Sequence, residues 1–303
     1  MSPDLLPRTM QADAEFSFAL TDPNGGNAPV WTGKGFRLHD GSLVPVLAYS
    51  VGASGWSDDL TGLHEESAGD RHYIDVASRR HAVTELSRYL RVERPVVMEV
   101  GCSSGYFLTE LSRELPEAYV IGADYVLGPL EALAKKRADL PLLRFDLAKC
   151  PLPDACLDGL VALNVLEHIE DDQVALDHIF RALKPGGAAV LEVPAGPELF
   201  DPYDKALMHH RRYDLAELTS KATAAGFSIL SASHLGFLLY PAFALVKRRN
   251  QRKGAVDVKA NIAVSAGDNP LLHLLMRIED GLRRLIPLPF GIRCLVTLRR
   301  PLE

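Results

Sequence analysis

Glu99, Gly101 and Gly105 stand in the order E-x-G-x-x-x-G within VVMEVGCSSGYFLTELSREL, from Val96 to Leu115. An acid followed by two glycines, where an apolar run gives way to an amphipathic pattern, lets the backbone approach a ligand at the carboxyl end of a buried strand. Further on, the short apolar run YVIGAD ends in Asp124, whose carboxylate can accept hydrogen bonds from two vicinal ribose hydroxyls. Together they predict a site for an adenosine-containing cofactor. The glycine spacing narrows the choice. A dinucleotide loop needs G-x-G-x-x-G, so that backbone can reach a pyrophosphate at a helix N-terminus. Here Ser103 and Tyr106 hold the third and sixth places counted from Gly101. The phosphate loop G-x-x-x-x-G-K-[ST] fails too, because Gly105 is followed by Tyr106 and Phe107.

These side chains need elements to position them. The valine-rich run reads as a buried parallel strand, followed by a tight loop and a helix. After Asp124 and Tyr125 comes the helix-like GPLEALAKKRAD, then an apolar strand LPLLRFD ending at Asp146. PLPDACLDGLVALNVLEHIED reads as an extended loop, a strand to Leu163 and a turn at Asn164; DDQVALDHIFRALKPGGAAVLEVP reads as helix, reversal and strand. Gly186 and Gly187 serve as a helix stop. Strands alternating with helices predict an α/β fold with a doubly wound, mostly parallel sheet.

The series acid–glycine loop, Asp124, Asp146, N-x-L-E-H (Asn164 to His168) and L-K-P-G-G (Leu183 to Gly187) resembles the class I S-adenosylmethionine-dependent methyltransferases, in their type 11/12 subgroup. The resemblance implies a Rossmann-like seven-stranded sheet with S-adenosylmethionine over Glu99, Gly101, Ser103 and Gly105. It implies ribose on Asp124, adenine near Asp146 and the backbone amide of Leu147, and Tyr125 and Asn164 as further cofactor-binding residues. Ser103 departs from the family, which more commonly has glycine there; a positive φ would be uncomfortable for serine. Glu99 is expected to order the loop through backbone amides rather than to act in catalysis.

The acceptor side is expected beyond the fourth and fifth strands, in PAGPELFDPYDKALMHHRRYDLAEL. Asp204, His209, Arg212 and Tyr213 form D-x-x-x-x-H-x-x-R-Y, which resembles a segment of that subgroup associated with saccharide or lipid-linked biosynthesis. His209 beside Asp204 is a candidate general base for a hydroxyl acceptor, and His168 is a second candidate. Arg212 and Tyr213 are candidates for binding the acceptor, Arg212 through a carboxylate or phosphate. Alternatively, Asp204, Arg212 and Tyr213 tie down a long loop. The expected reaction is O-methylation of a small molecule or saccharide. N-methylation, a membrane-surface enzyme on a lipid-linked acceptor, and a non-catalytic binder of the same fold are the alternatives.

The chain has 303 residues, 47% hydrophobic and 24% charged, with net charge −6. That composition is globular, and the acidic balance argues against nucleic acid as a bulk partner. Cys102, Cys150, Cys156 and Cys294 make no C-x-x-C pair or zinc spacing, so no metal site and no disulfide framework are expected. His64-Glu65-Glu66 reads as a solvated helix start. The N-terminus lacks a secretory pattern, so a cytoplasmic location is expected. Four regions are expected: an N-terminal arm with a hairpin at Asp40-Gly41 (1–69), a cofactor-binding core (70–234), a helical insert or cap (235–290) and a final edge strand (291–303). The insert pairs LGFLLYPAFALVKRRNQRKG with NPLLHLLMRIEDGLRRLIPLPFG. Both apolar runs are shorter than the roughly 20 residues needed to span a bilayer. Packing on the core, a dimer face and a membrane surface are all open to it.

Overall fold

The computed structural model describes residues 18–49, 71–253 and 269–303. The His64-Glu65-Glu66 sequence lies outside them. Three two-residue strands, β1 (Val30–Trp31), β2 (Phe36–Arg37) and β3 (Leu43–Val44), form a small antiparallel sheet. Gly41, at φ +84°, turns the chain between β2 and β3. The next strand, β4 (Leu47–Ala48), joins the main sheet instead.

The main unit begins with α1 (Tyr73–Tyr89), β5 (Val96–Val100), α2 (Tyr106–Glu114), β6 (Tyr119–Asp124), α3 (Leu127–Lys136) and β7 (Leu142–Arg144). It continues through β8 (Leu157–Leu163), α4 (Asp172–Ala182), β9 (Leu183–Pro194), α5 (Pro202–Ala206), α6 (Leu215–Ala224) and β10 (Ser228–Leu235). After that come α7 (Tyr240–Lys253), α8 (Pro270–Arg283) and β11 (Arg293–Arg299). The sheet order is β10-β11-β9-β8-β5-β6-β7-β4. From β9 to β4 all pairs are parallel, whereas β11 runs antiparallel to both neighbours.

Two expectations change. The seven-stranded sheet gains an eighth strand, because Leu47 and Ala48 pair with Leu143 and Arg144 along β7. The last strand of the chain is not an edge. β11 lies between β9 and β10, and its residues 294–298 are all buried. β10, half-exposed along most of its length, takes the edge.

Alternation along β5 packs the sheet on both sides. Val96, Met98 and Val100 join a core with Leu176 and Ile179 of α4 and Leu218 of α6. Val97 faces the opposite core, with Leu86 of α1, Leu108 and Leu111 of α2, and Leu130 of α3. Successive strand residues point to opposite faces, so a run of apolar residues fills both.

β5 has β6 and β7 on one side and β8 and β9 on the other. This is the topological switch point, where loops leaving the carboxyl ends of β5 and β8 diverge and open a crevice. The loop after β5 carries Gly101 to Gly105, and the loop after β8 carries Asn164 to His168.

Candidate functional site

Gly101 and Gly105 are both in the left-handed region, at φ +81° and +75°. A Cβ on Gly101 would stand 2.5 Å from Val165 Cγ2, and one on Gly105 2.7 Å from the Leu133 side chain. The first of these contacts ties the β5 loop to the β8 loop. Ser103 also has a positive φ, +45°, a conformation that costs a non-glycine residue roughly 1–2 kcal/mol. Its N–H donates to Asp124 Oδ2 at 2.8 Å, so the strained residue links the loop to the end of β6. The amides of Gly101 and Cys102 both donate to the Ala123 carbonyl, at 2.8 and 3.0 Å.

The loop is therefore tied to Ala123 and Asp124, and Glu99 has a backbone hydrogen bond with Leu108 in the helix that follows the loop. Glu99 is buried, and its Oε2 accepts no hydrogen bond among the described residues. Burial, with the nearby Asp124 charge, holds its pKa well above the ordinary carboxylate value; Arg79 opposes the shift.

Asp124 is 9% exposed, and its Oδ1 accepts from the Val126 amide at 2.8 Å. Both carboxylate oxygens thus accept a backbone N–H, which fixes the carboxylate at the carboxyl end of β6. Tyr125 follows, its carbonyl accepting from Arg144 Nε at 3.1 Å. Asp146 Oδ1 caps a short 3-10 turn (Leu147–Lys149) through the Ala148 amide at 2.9 Å. Leu147 opens that turn, so its own N–H lies outside the turn's hydrogen bonds and can meet an acceptor. Asn164, at φ +56°, donates its backbone N–H to the Glu192 carbonyl at 2.9 Å and its Nδ2 to Glu192 Oε1 at 3.3 Å. A left-handed two-glycine turn packed against Val165 and Leu133, a fixed carboxylate at the end of β6 and the Leu147 amide after β7 fit an adenosine-type ligand.

The residues expected on the acceptor side meet in a buried ionic cluster. Asp201 and Asp204 form a capping box at the start of α5. Asp204, 1% exposed, accepts from Arg212 Nη1 at 2.9 Å, Lys247 Nζ at 2.8 Å and His209 Nδ1 at 3.1 Å. Burial alone would raise its pKa, but the hydrogen bond from His209 and the charges of Arg212 and Lys247 outweigh it and hold the carboxyl well below the ordinary range. His209 is shifted down by burial, against the pull of Asp204. Two permanent cations already balance Asp204, so the imidazole need not be charged. The Asp204 carboxylate can only accept, so Nδ1 is the ring nitrogen that donates to it.

The loop bearing His209 is fastened to the β8 loop. The His210 amide donates to the Glu167 carbonyl at 2.8 Å, and Arg211 bonds Asp172 at 3.1 Å. The fastening brings the His168 and His209 rings into an edge-on contact, with centroids 4.7 Å apart.

Arg212 and Tyr213 do something other than hold an acceptor. Arg212 Nε donates to the Ala195 carbonyl at 2.8 Å, its Nη1 to Asp204, and its ring-like plane lies 5.3 Å from the Phe243 centroid. Tyr213 is fully buried, with its hydroxyl donating to Asp172 Oδ2 at 2.8 Å. Both are spent on internal partners, so they brace the loop. Asp204 is likewise too buried to touch an acceptor.

Three contributors escaped the sequence reading. Glu167, buried beside His168, shows in the sequence only as part of the L-E-H turn. Asp201 shows the D-x-x-D spacing of a capping box. Lys247 looks like one of a basic cluster, yet Ala244, Lys247 and Asn250 recur every third residue and form the buried face of α7.

Residues 98–191 match the family model described as a methyltransferase domain. A "Probable S-adenosylmethionine-dependent methyltransferase" of Mycolicibacterium smegmatis is 31% identical over 50% of this chain and 59% of its own length. One of Mycobacterium tuberculosis is 28% identical over 55% and 61%. The chain thus spans about three fifths of these curated relatives. In fold it is similar to phosphoethanolamine N-methyltransferase 2 of Haemonchus contortus, solved with S-adenosyl-L-methionine. The TM-score is 0.52 at 16% identity, over 80% of this chain and 56% of that one. With the glycine turn at the switch point and the acids closing β6 and β7, residues 98–191 carry a methyltransferase domain, and over these strands the chain is similar to S-adenosylmethionine-dependent methyltransferases.

Proposed function

We propose that the protein transfers a methyl group from S-adenosylmethionine to a hydroxyl of a small molecule or saccharide. The cofactor, held by the Gly101–Gly105 loop, Asp124, Asp146 and Leu147, supplies a sulfonium-activated methyl group. The chain's own residues align an acceptor in line with it and exclude water, so proximity and orientation provide much of the rate. The observation that carries the hydroxyl reading is the Asp204–His209 pair: a carboxylate fixes the tautomer of a neutral imidazole whose Nε2 can take a proton. An amine acceptor needs only to arrive unprotonated and would have no use for that arrangement.

The test is titration of S-adenosylmethionine and S-adenosylhomocysteine into wild type and Asp124→Ala, followed by an acceptor screen read as S-adenosylhomocysteine release. Wild type is expected to bind in the micromolar range. Asp124→Ala is expected to weaken binding at least about 10-fold, because it removes the ribose acceptors and also the partners of the Ser103 and Val126 amides. Binding with no release across hydroxyl acceptors would favour the non-catalytic binder.

One observation favours a lipid-linked acceptor within this reading. α7 is turned inside out: Lys247 and Asn250 are buried on Asp201 and Asp204, whereas Leu245 is 71% and Val246 49% exposed. Leu245 and Arg248 line a groove of about 620 Å³ with Tyr240, Pro241, Ala244 and Phe290. α8 also exposes Leu271, Leu274 and Ile278. No helix of the described residues is long and apolar enough to cross a membrane. An apolar surface edged by Arg248, Arg249 and Arg252 suits lying on an anionic bilayer. Co-sedimentation with anionic vesicles at low salt is expected, and replacing the three arginines by alanine is expected to abolish it. Failure of wild type to sediment would remove this reading.

A further inference from the structure

We infer that Glu167, His168 and His209 form a binding site for a first-row divalent cation such as zinc or manganese. The site deepens the proposed hydroxyl methylation and rests on it only for its chemical use. One ligand atom from each of the three residues lies within 4.8 Å of the others. Ligands on bonds of about 2.0–2.2 Å stand about 3.4 Å apart in a tetrahedral site, a closure within reach of side-chain rotation. Two imidazoles and one carboxylate are the donor set of catalytic zinc and of non-haem metal sites, which keep further positions open.

Two independent features point to a ligand there. Glu167 is 1% exposed, and neither of its carboxylate oxygens accepts a hydrogen bond among the described residues. A buried carboxylate without a partner is costly, and a cation would satisfy it. The second feature is the support behind His209. Its Nδ1 is held by Asp204, which Arg212 and Lys247 fix in turn. A carboxylate on one ring nitrogen, orienting the other toward a metal, is the usual outer support of a histidine ligand. Those two cations do not oppose binding as free charges would, because Asp201 and Asp204 already pair with them.

The expected absence of a metal site rested on sequence spacing, and these ligands come from two loops that only folding joins. Val165 abuts Gly101, so the cluster borders the cofactor loop. A cation there would use the Nε2 lone pair of His209 and would itself acidify an acceptor hydroxyl. The histidine base and the cation are therefore two states of one cluster.

The test is a cobalt(II) titration followed by visible absorbance, with zinc(II) as competitor, beside a separate S-adenosylmethionine titration. One cation per chain is expected. Glu167→Gln and His168→Ala should each weaken it at least about 10-fold, with thermal melting and cofactor binding confirming the fold. Asp204→Glu, which keeps the support, should bind more tightly than Asp204→Asn. A wild type that binds S-adenosylmethionine but no cation would overturn the site and leave the proposed function standing. So would cation binding that neither Glu167→Gln nor His168→Ala changes. Loss of cofactor binding by wild type would instead strike the proposed function.

Discussion

His209→Ala is expected to lower kcat toward a hydroxyl acceptor by about 10²- to 10⁴-fold, the contribution of a positioned proton-transfer group. The affinity for S-adenosylmethionine should stay within a few-fold of wild type, because His209 belongs to the loop after β9 and the proposed cofactor contacts come from the loops after β5, β6 and β7. The split between kcat and cofactor affinity is the informative readout. A purely structural histidine would move stability and cofactor binding together. His209→Gln sharpens the test, since its amide can still donate to Asp204 but cannot take a proton. Stopped turnover in the glutamine variant, with an unchanged melting temperature, assigns the imidazole to chemistry. Unchanged turnover in both variants sinks the hydroxyl-base reading.

The second large effect is on stability. Asp204→Asn leaves Arg212 and Lys247, 5% and 4% exposed, without one of their anions. Removing one partner of a buried ion pair costs about 3–5 kcal/mol, because the remaining charge cannot return to water. For a chain of this size that corresponds to a fall in melting temperature on the order of 10 °C. Asp201 still pairs with Lys247 at 2.9 Å, so Arg212 bears more of the loss. The double variant Asp204→Asn/Arg212→Met should recover part of it, since an apolar side chain of similar length needs no counter-charge and packs against Phe243. A melting temperature within 1–2 °C of wild type for Asp204→Asn, a stability change of less than about 1 kcal/mol, would show that water reaches the cluster. The buried bracing of the His209 loop would then be wrong.

The two predictions separate roles that sit five residues apart in sequence. His209 spends one ring nitrogen on the cluster, and the proposed function uses the other. Asp204, Arg212, Tyr213 and Lys247 spend everything on one another and on their neighbours. Burial decides the division: a side chain with no exposed polar atom can position a group that touches the acceptor, but cannot touch it.

What the sequence determined by itself was local and periodic. The run from Val96 to Val100, the glycines at 101 and 105, and the acids at 124 and 146 each sit where one strand ends and one turn begins. Their order alone implied the alternating sheet and the crevice at its switch point, because short βα connections leave few ways to arrange such a chain. Even the strain at Ser103 was visible as a residue out of place. Tertiary structure decided what depends on residues far apart. That β11 is an inner strand follows from its two partners, and nothing in its own seven residues tells an inner strand from an edge. That Arg212 and Tyr213 brace rather than bind follows from Ala195, Asp172 and Phe243. That Lys247 faces inward while Leu245 faces out reverses the ordinary rule for a helix, and only the buried anions of α5 make that reversal stable. The Glu167–His168–His209 cluster belongs to the same class: hydrophobic periodicity registers which way a helix or strand faces, but carries no trace of which two loops meet.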